Sequence, residues 1–214
     1  MLTSSSSSSS NIYIYPTDTV WGIGGSILKQ DVYLKIMSIK KITHPRPVSI
    51  LFSEAEEIEK YFNLPPKFSK SFFEEFFSFE STLGLPINLI KDHSTIPRWL
   101  YQESEIVAIR MLKYYWIKEI IQNVNAPIIT TSLNLTDSSP ILSYNEALSF
   151  KKEYAPSALI VEMKVGIENS QNNLQLSGTP SSIVYLDHQQ KLKTIREGRY
   201  YKELKNLLTY TSSY

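Results

Sequence analysis

The sequence predicts an α/β domain in which a mixed β-sheet is flanked by helices. Short runs of alternating or wholly apolar, β-branched and aromatic residues are interleaved with segments of helical period along nearly the whole chain. The interleaving has no regular βαβ spacing and no internal repeat, which favours a mixed sheet over a doubly wound parallel one. The 214 residues are 42% hydrophobic, enough for one domain to bury a core without staples.

Each element follows from local chemistry. The opening run MLTSSSSSSS offers nothing to bury, so residues 1–10 read as a solvated serine-rich tail. Asn11 to Tyr15 alternates with period two and forms the first strand, which Pro16 stops. A turn and then the glycines Gly22, Gly24 and Gly25 follow. Asp31 caps a helix to about Lys41, with Val32, Ile36 and Ile39 on one face. Val48 to Phe52 is a short buried strand, and Ser53 with Glu56 makes a capping-box pattern for a helix to about Phe62.

Phe68, Phe72, Phe76 and Phe79 recur at helical spacing, which reads as core packing within a helix over 67–79. Strands over Pro86 to Ile90 and Ile106 to Arg110 enclose a polar connection containing Pro97, Arg98 and Trp99. A helix over 116–123 leads to a strand over Pro127 to Thr131. Ser143 and Glu146 form a second capping-box pattern, for a helix to about Tyr154. Leu159 to Glu162 reads as a strand, and the Asn-, Gln- and Ser-rich stretch over 166–178 as a loop. Ser182 to Leu186 pairs with Leu192 to Ile195 across a short turn, and Tyr200 to Leu208 is a last helix. The domain is thus expected over 11–200, with 201–214 as a helical tail.

Composition removes several functions. A net charge of +1 argues against a protein whose main business is wrapping nucleic acid, although it leaves room for a local basic cavity. With no cysteine, thiolate catalysis, disulfides and cysteine zinc sites are excluded. His44, His93 and His188 stand apart at no ligand spacing, so no protein-built metal site is expected. No apolar stretch approaches the ~20 residues of a membrane span. The N-terminus has neither the basic nor the apolar region of a secretory signal, and the expected compartment is the cytoplasm.

Taken singly, the polar segments are ordinary. PTDT after a strand is a turn in which Asp and Thr bond nearby amides. GIGG has the wrong spacing for a P-loop and marks close backbone packing. Lys40, Lys41, His44 and Arg46 suit a helix end, where cations complement the dipole. Thr130 to Asn134 reads as a strand end and a hydroxyl-rich turn.

Their order carries more information. YPTDTVWGIG, Lys40, RPVSIL, VAIR, APIITTSLNLT, PSSIV and TIREG follow one another from residue 15 to 198. This succession resembles the YrdC-type threonylcarbamoyl-AMP synthase family, whose pattern runs PT-[DE]-T-x-[YF]-G-[LV]-G, K-x-R-P-x-x-K-P-[LM]-S, AVR, S-x-N, PS-[TS]-[IV] and LR-x-G. The resemblance implies a twisted open sheet with helices around a concave, positively charged cavity, of YrdC/RibB-like fold. It also implies formation of threonylcarbamoyl-AMP and pyrophosphate from L-threonine, bicarbonate and ATP, with magnesium carried by the triphosphate. A downstream threonylcarbamoyl transferase complex would be the partner, with tRNA as the final acceptor and double-stranded RNA binding among the family's expected properties.

By matching position, the resemblance places Thr17, Ser49, Arg110 and Ser181 on threonine, with Arg110 facing the carboxylate and Thr130 contributing its main chain. It places Lys40, Ser132, Asn134 and Arg196 on the ATP phosphates and adenosine, with His44 and Arg46 near the nucleotide. Lys40, Arg110, Ser132 and Asn134 are the catalytic candidates. Carbamate attack on the α-phosphorus needs no protein nucleophile; it needs positioning and cations where charge builds.

The chain departs from the pattern at identifiable places. The arginine of K-x-R falls on Ile42, with Arg46 where lysine is usual. The P-G-P-x-T segment is matched to Leu83 to Ile87, keeping only Gly84. Tyr114 and Tyr115 replace a common His-Pro, and the serine run stands where a leading helix is usual. Two other readings therefore stay open: a relative forming carbamoyl-AMP, and a diverged paralogue that binds nucleotide or RNA without turnover.

Overall fold

The computed structural model describes residues 11–44, 46–162, 176–187, 189 and 191–211. The serine run, His188 and most of the expected loop over 166–178 lie outside them.

The described chain builds one nine-stranded sheet. In chain order the elements are β1 (Tyr13–Pro16), β2 (Trp21–Ser26), α1 (Gln30–Ile39), β3 (Ser49–Phe52), α2 (Ala55–Tyr61), α3 (Lys70–Ser78), β4 (Ser81–Pro86) and β5 (Ile106–Met111). They continue with α4 (Tyr115–Val124), β6 (Ile128–Ser132), α5 (Tyr144–Tyr154), β7 (Leu159–Ile160), β8 (Ser182–Leu186), β9 (Leu192–Arg196) and α6 (Tyr201–Thr211). The strands lie in the order β7-β1-β2-β6-β3-β5-β4-β8-β9. The sheet is mixed as expected, with parallel pairs β1/β7, β3/β5 and β4/β8 among antiparallel ones.

Helix α1 packs on β2, α2 on β3, α3 on β4 and β5, and α4 on β1, β2 and β3. The strand residues Ile23, Ile50, Leu83, Ile109 and Ile129 are fully buried in the core they share. The phenylalanine helix behaves as its spacing predicts: Phe72 and Phe76 stack, while Phe73 and Phe77 fill the adjoining positions of the same face. The final helix is anchored, since Leu204 (0% exposed) and Leu208 join the core.

Several local expectations are corrected. The glycines that follow the first turn, to which the sequence assigned no element, lie in β2, in the interior of the sheet between β1 and β6. Glycine is needed there for close approach: a Cβ on Gly24 would lie 1.9 Å from the Ile129 carbonyl oxygen. Asp31 does not cap α1; Lys29 holds that position without a side-chain bond, and Asp31 instead pairs with Lys35 on the surface. The first capping box is shifted by one residue, to Glu54 and Glu57, because the Glu57 carboxylate also accepts from the amide and hydroxyl of Ser53. The second box, Ser143 with Glu146, forms as predicted.

The strand expected over Pro86 to Ile90 ends at Pro86, and Ile87–Leu89 is a short 3-10 turn. Proline lacks the N–H that would continue the ladder. The strand itself lies earlier, from Ser81, a shift that matters for the cavity described below.

Candidate functional site: a cation-rimmed cavity

Strand pairing lays a row of small and polar residues across the sheet. Gly22 faces Ser132, Gly24 and Ser49 flank Thr130, and Leu51 faces Arg110. Further along, Thr82 faces Ile183, and Ile183 faces Arg196. Alternate residues of a strand share a face, so Thr130 points with Ser132 and Ala108 with Arg110. All of this row except Gly24 and Leu51 borders one cavity of about 330 Å³. That is the low end of the size range of small-molecule sites, about 300–1,000 Å³.

The turn after β1 supplies one wall. The Thr17 hydroxyl donates to the Val20 carbonyl at 2.6 Å and accepts from the amides of Thr19 and Val20 at 3.2 Å each. Its polar capacity goes into building the turn, as the composition of PTDT predicts. Thr17 and Thr19 both border the cavity, while Asp18 reaches to Arg110 at 2.6 Å.

Arg110 is 8% exposed, and its buried Nε–H has no partner among the described residues. Glu80, just ahead of β4, is 7% exposed, and its buried Oε2 likewise has no partner among the described residues. Burial, seconded by the Asp18 charge, pushes the Glu80 carboxyl above the usual range, against the pull of Ser177, Arg199 and Arg110. Tyr114 belongs to the same group of charges: burial first, then Asp18, lifts its hydroxyl to about 12. A short strap closes over the acid, with the amides of Ser177 and Gly178 donating to the carbonyls of Asp18 and Thr19.

Beside it, Ser181 joins two strands. Its hydroxyl lies 2.9 Å from that of Thr82, and its carbonyl accepts from Arg196 Nε at 2.8 Å. Burial and the charge of Arg110 both lower the Arg196 pKa, so the two guanidiniums share one neighbourhood.

The β6 side is organised differently. The ammonium of Lys40 (4% exposed) donates to the Ser132 carbonyl, to the Asn134 carbonyl at 2.9 Å and to Asn134 Oδ1 at 3.0 Å. Asn134 Oδ1 also accepts from the Ser132 hydroxyl at 2.6 Å, and its Nδ2 donates to the carbonyls of Leu135 and Ser138. Thr136 closes the frame, with amide and hydroxyl both donating to the Lys40 carbonyl. Burial, with Arg46 adding repulsion, pushes Lys40 down to about 8. Ile42, at the place of the family's arginine, packs on the core, whereas Arg46 is exposed and its guanidinium reaches Thr136 at 3.5 Å.

Of the residues singled out from sequence, Thr17, Ser49, Arg110 and Thr130 border the cavity, as do Ser132, Ser181 and Arg196. Lys40 and Asn134 lie behind Ser132, bonded to it, and are not on the wall; His44 is exposed and also off it. Sequence reading missed Thr19, Thr82 and the acids Asp18 and Glu80. Thr82 was obscured by Gly84, which drew the P-G-P-x-T match to Leu83–Ile87. Because β4 starts at Ser81 and only Thr82 of this strand reaches the cavity, the motif's threonine corresponds to Thr82, with Ser78, Phe79 and Glu80 in place of Pro-Gly-Pro. Gly84 serves packing instead, since a Cβ there would sit 2.8 Å from the Tyr185 Cβ.

The mixed open sheet thus carries a hydroxyl-lined, arginine-bearing cavity of the size of a small-molecule site. The sequence matches the model of the Sua5/YciO/YrdC family, described as "Telomere recombination", over residues 8–198, and the chain belongs to that family. It is 24% identical over 165 residues to a threonylcarbamoyl-AMP synthase of Pseudoalteromonas atlantica, covering 77% of this chain and 84% of that one. The fold is similar to that of P. abyssi Sua5 in complex with L-threonine, with TM-score 0.71 and 19% identity over 94% of this chain. This chain spans only 54% of that protein's length. The E. coli YciO structure is similar at TM-score 0.64 and 17% identity, covering 88% of this chain and 83% of that one.

Proposed function

We propose that this chain is an L-threonylcarbamoyladenylate synthase, a nucleotidyltransferase that joins L-threonine, bicarbonate and ATP into threonylcarbamoyl-AMP and pyrophosphate. The observation that carries this reading is Arg110, a buried guanidinium at a hydroxyl-lined cavity with one N–H that has no partner among the described residues. A substrate carboxylate supplies the acceptor that this donor lacks. The membership of the chain in the family, and the names of its relatives, support the same reading.

In this reading threonine lies with its carboxylate on Arg110 and its hydroxyl among Thr19, Ser49, Thr82 and Ser181. Its neutral amine and bicarbonate give the carbamate and water. A carbamate oxygen then attacks the α-phosphorus of ATP, and pyrophosphate leaves with the electron pair of the broken P–O bond. Ser132, Arg196 and Arg46 face the nucleotide, which extends beyond the cavity, and magnesium arrives as part of the ATP substrate. The protein's part is positioning, charge stabilisation and exclusion of water from a hydrolysable adenylate. The product would pass to a threonylcarbamoyl transferase complex for attachment to tRNA. In this reading the protein works in the cytoplasm. Among the described residues no helix is long and apolar enough to cross a membrane.

Pyrophosphate release by the purified protein tests the proposal, with threonine, bicarbonate and ATP omitted in turn. Release is expected to need all three. Release without threonine would replace the reading by a carbamoyl-AMP-forming one. ATP binding with no release under any condition would replace it by a nucleotide binder, the outcome that Ile42 favours.

A further inference from the structure

A lysine ammonium has three N–H bonds to give. In Lys40 all three point at protein oxygens of one turn: the carbonyls of Ser132 and Asn134 and the side-chain Oδ1 of Asn134. Asn134 is equally committed, with two donors bonded to Leu135 and Ser138 and its oxygen shared by Lys40 and Ser132. A phosphate oxygen would have to displace a bond already made within a buried network. Arg46 is the contrasting cation: it is exposed, and among the described residues its guanidinium makes one long contact, to Thr136.

We propose that Lys40 and Asn134 are positioning residues that fix the turn over 132–138 and so hold Ser132 at the cavity wall, which leaves the contact with the phosphates on this side to Arg46, the cation already assigned to the nucleotide. The second half rests on the reading that ATP is a ligand; the first half does not. A spherical ammonium can offer one proton to each of three converging oxygens, which a planar guanidinium cannot copy. Lys40→Arg therefore keeps the charge but breaks the frame, whereas it would be tolerated at a simple phosphate contact. Arg46 sits four residues past Ile42, and so restores near the site the positive charge that the isoleucine removes.

The test combines ligand titration with hydrogen–deuterium exchange on the full chain carrying Lys40→Arg, Lys40→Met or Arg46→Ala. In the ligand-free protein, both Lys40 variants should speed exchange of the Leu133 and Thr136 amides at least tenfold, while Arg46→Ala leaves them unchanged. The probes for titration are ATP and adenosine. Lys40→Arg should weaken both by the same factor, within twofold. Arg46→Ala should weaken ATP five- to tenfold and adenosine not at all, with a shallower salt dependence for ATP. Unchanged exchange in folded Lys40→Arg overturns the framing role. So does a Lys40→Arg or Lys40→Met variant that loses at least fivefold more affinity for ATP than for adenosine. Equal ATP affinity in wild type and Arg46→Ala overturns the role of Arg46. If wild type binds neither probe, the assignment of ATP and of Arg46 fails, and exchange alone still judges the frame.

Discussion

Two polar networks border the same cavity and are built on opposite principles. Around Lys40 and Asn134 the donors of the ammonium and the amide all have acceptors, and the product is a fixed turn. Around Arg110 the bookkeeping does not close: Asp18 holds one arm, Arg110 Nε lacks an acceptor, and Glu80 Oε2 lacks a donor. These are the two buried side-chain polar atoms without partners among the described residues. Buried polar groups left open cost stability and persist where something else completes them. The difference separates two roles under the proposed function: the saturated network shapes the site, and the unsaturated one is completed by the substrate.

The largest test of this contrast is Arg110→Ala. It removes the proposed carboxylate partner and leaves Asp18 and Glu80 without their shared cation. Threonine-dependent pyrophosphate release should fall by about 10³ or more. Unfolding free energy should fall by about 3 kcal/mol, because an uncompensated buried acid remains. Loss of stability with normal turnover would make Arg110 purely structural.

Glu80→Gln sharpens the comparison from the acid side. The folded protein raises the Glu80 pKa above its unfolded value, so the folded state holds the proton more tightly. The contribution of this group is full below the ordinary glutamate range and is lost as pH rises through the folded value. Chemical denaturation should therefore find the variant and wild type alike near pH 4. At pH 7.5 the variant should be about 1 kcal/mol the more stable. A variant less stable at both pH values would mean that the charged form is needed.

The smallest effect concerns Lys40. Its folded value near 8 lies below the usual lysine range, so between about 8 and 10.5 the unfolded chain holds more protons. From this group, stability climbs with pH over that window. Arg46→Ala removes part of the cause and should flatten the climb, measured as the pH slope of thermal or denaturant unfolding.

Much of this was legible in the sequence. Period-two and helical patterns located most strands and helices, because they report burial, which is a property of successive residues. The ordered motifs named Arg110, Ser132, Ser181 and Arg196, all of which reach the cavity. What misled was local chemistry with two meanings. The glycines of GIGG read rightly as close backbone packing, but only the approach of Ile129 from β6 shows that they form β2 and why a side chain is forbidden there. Gly84 mimicked a motif position while serving contact with β8, and Thr82 was passed over.

By itself, then, the sequence determined the fold class, the order of the elements and the family to which the chain belongs, since periodicity and motif succession are written along the chain. Only the tertiary structure decided which polar groups are free. Whether a lysine faces a ligand or spends its protons on carbonyls more than ninety positions away depends on strand order and register. So does the pairing of Asp18 with Arg110, because it joins a turn beside β2 to a strand three places along the sheet.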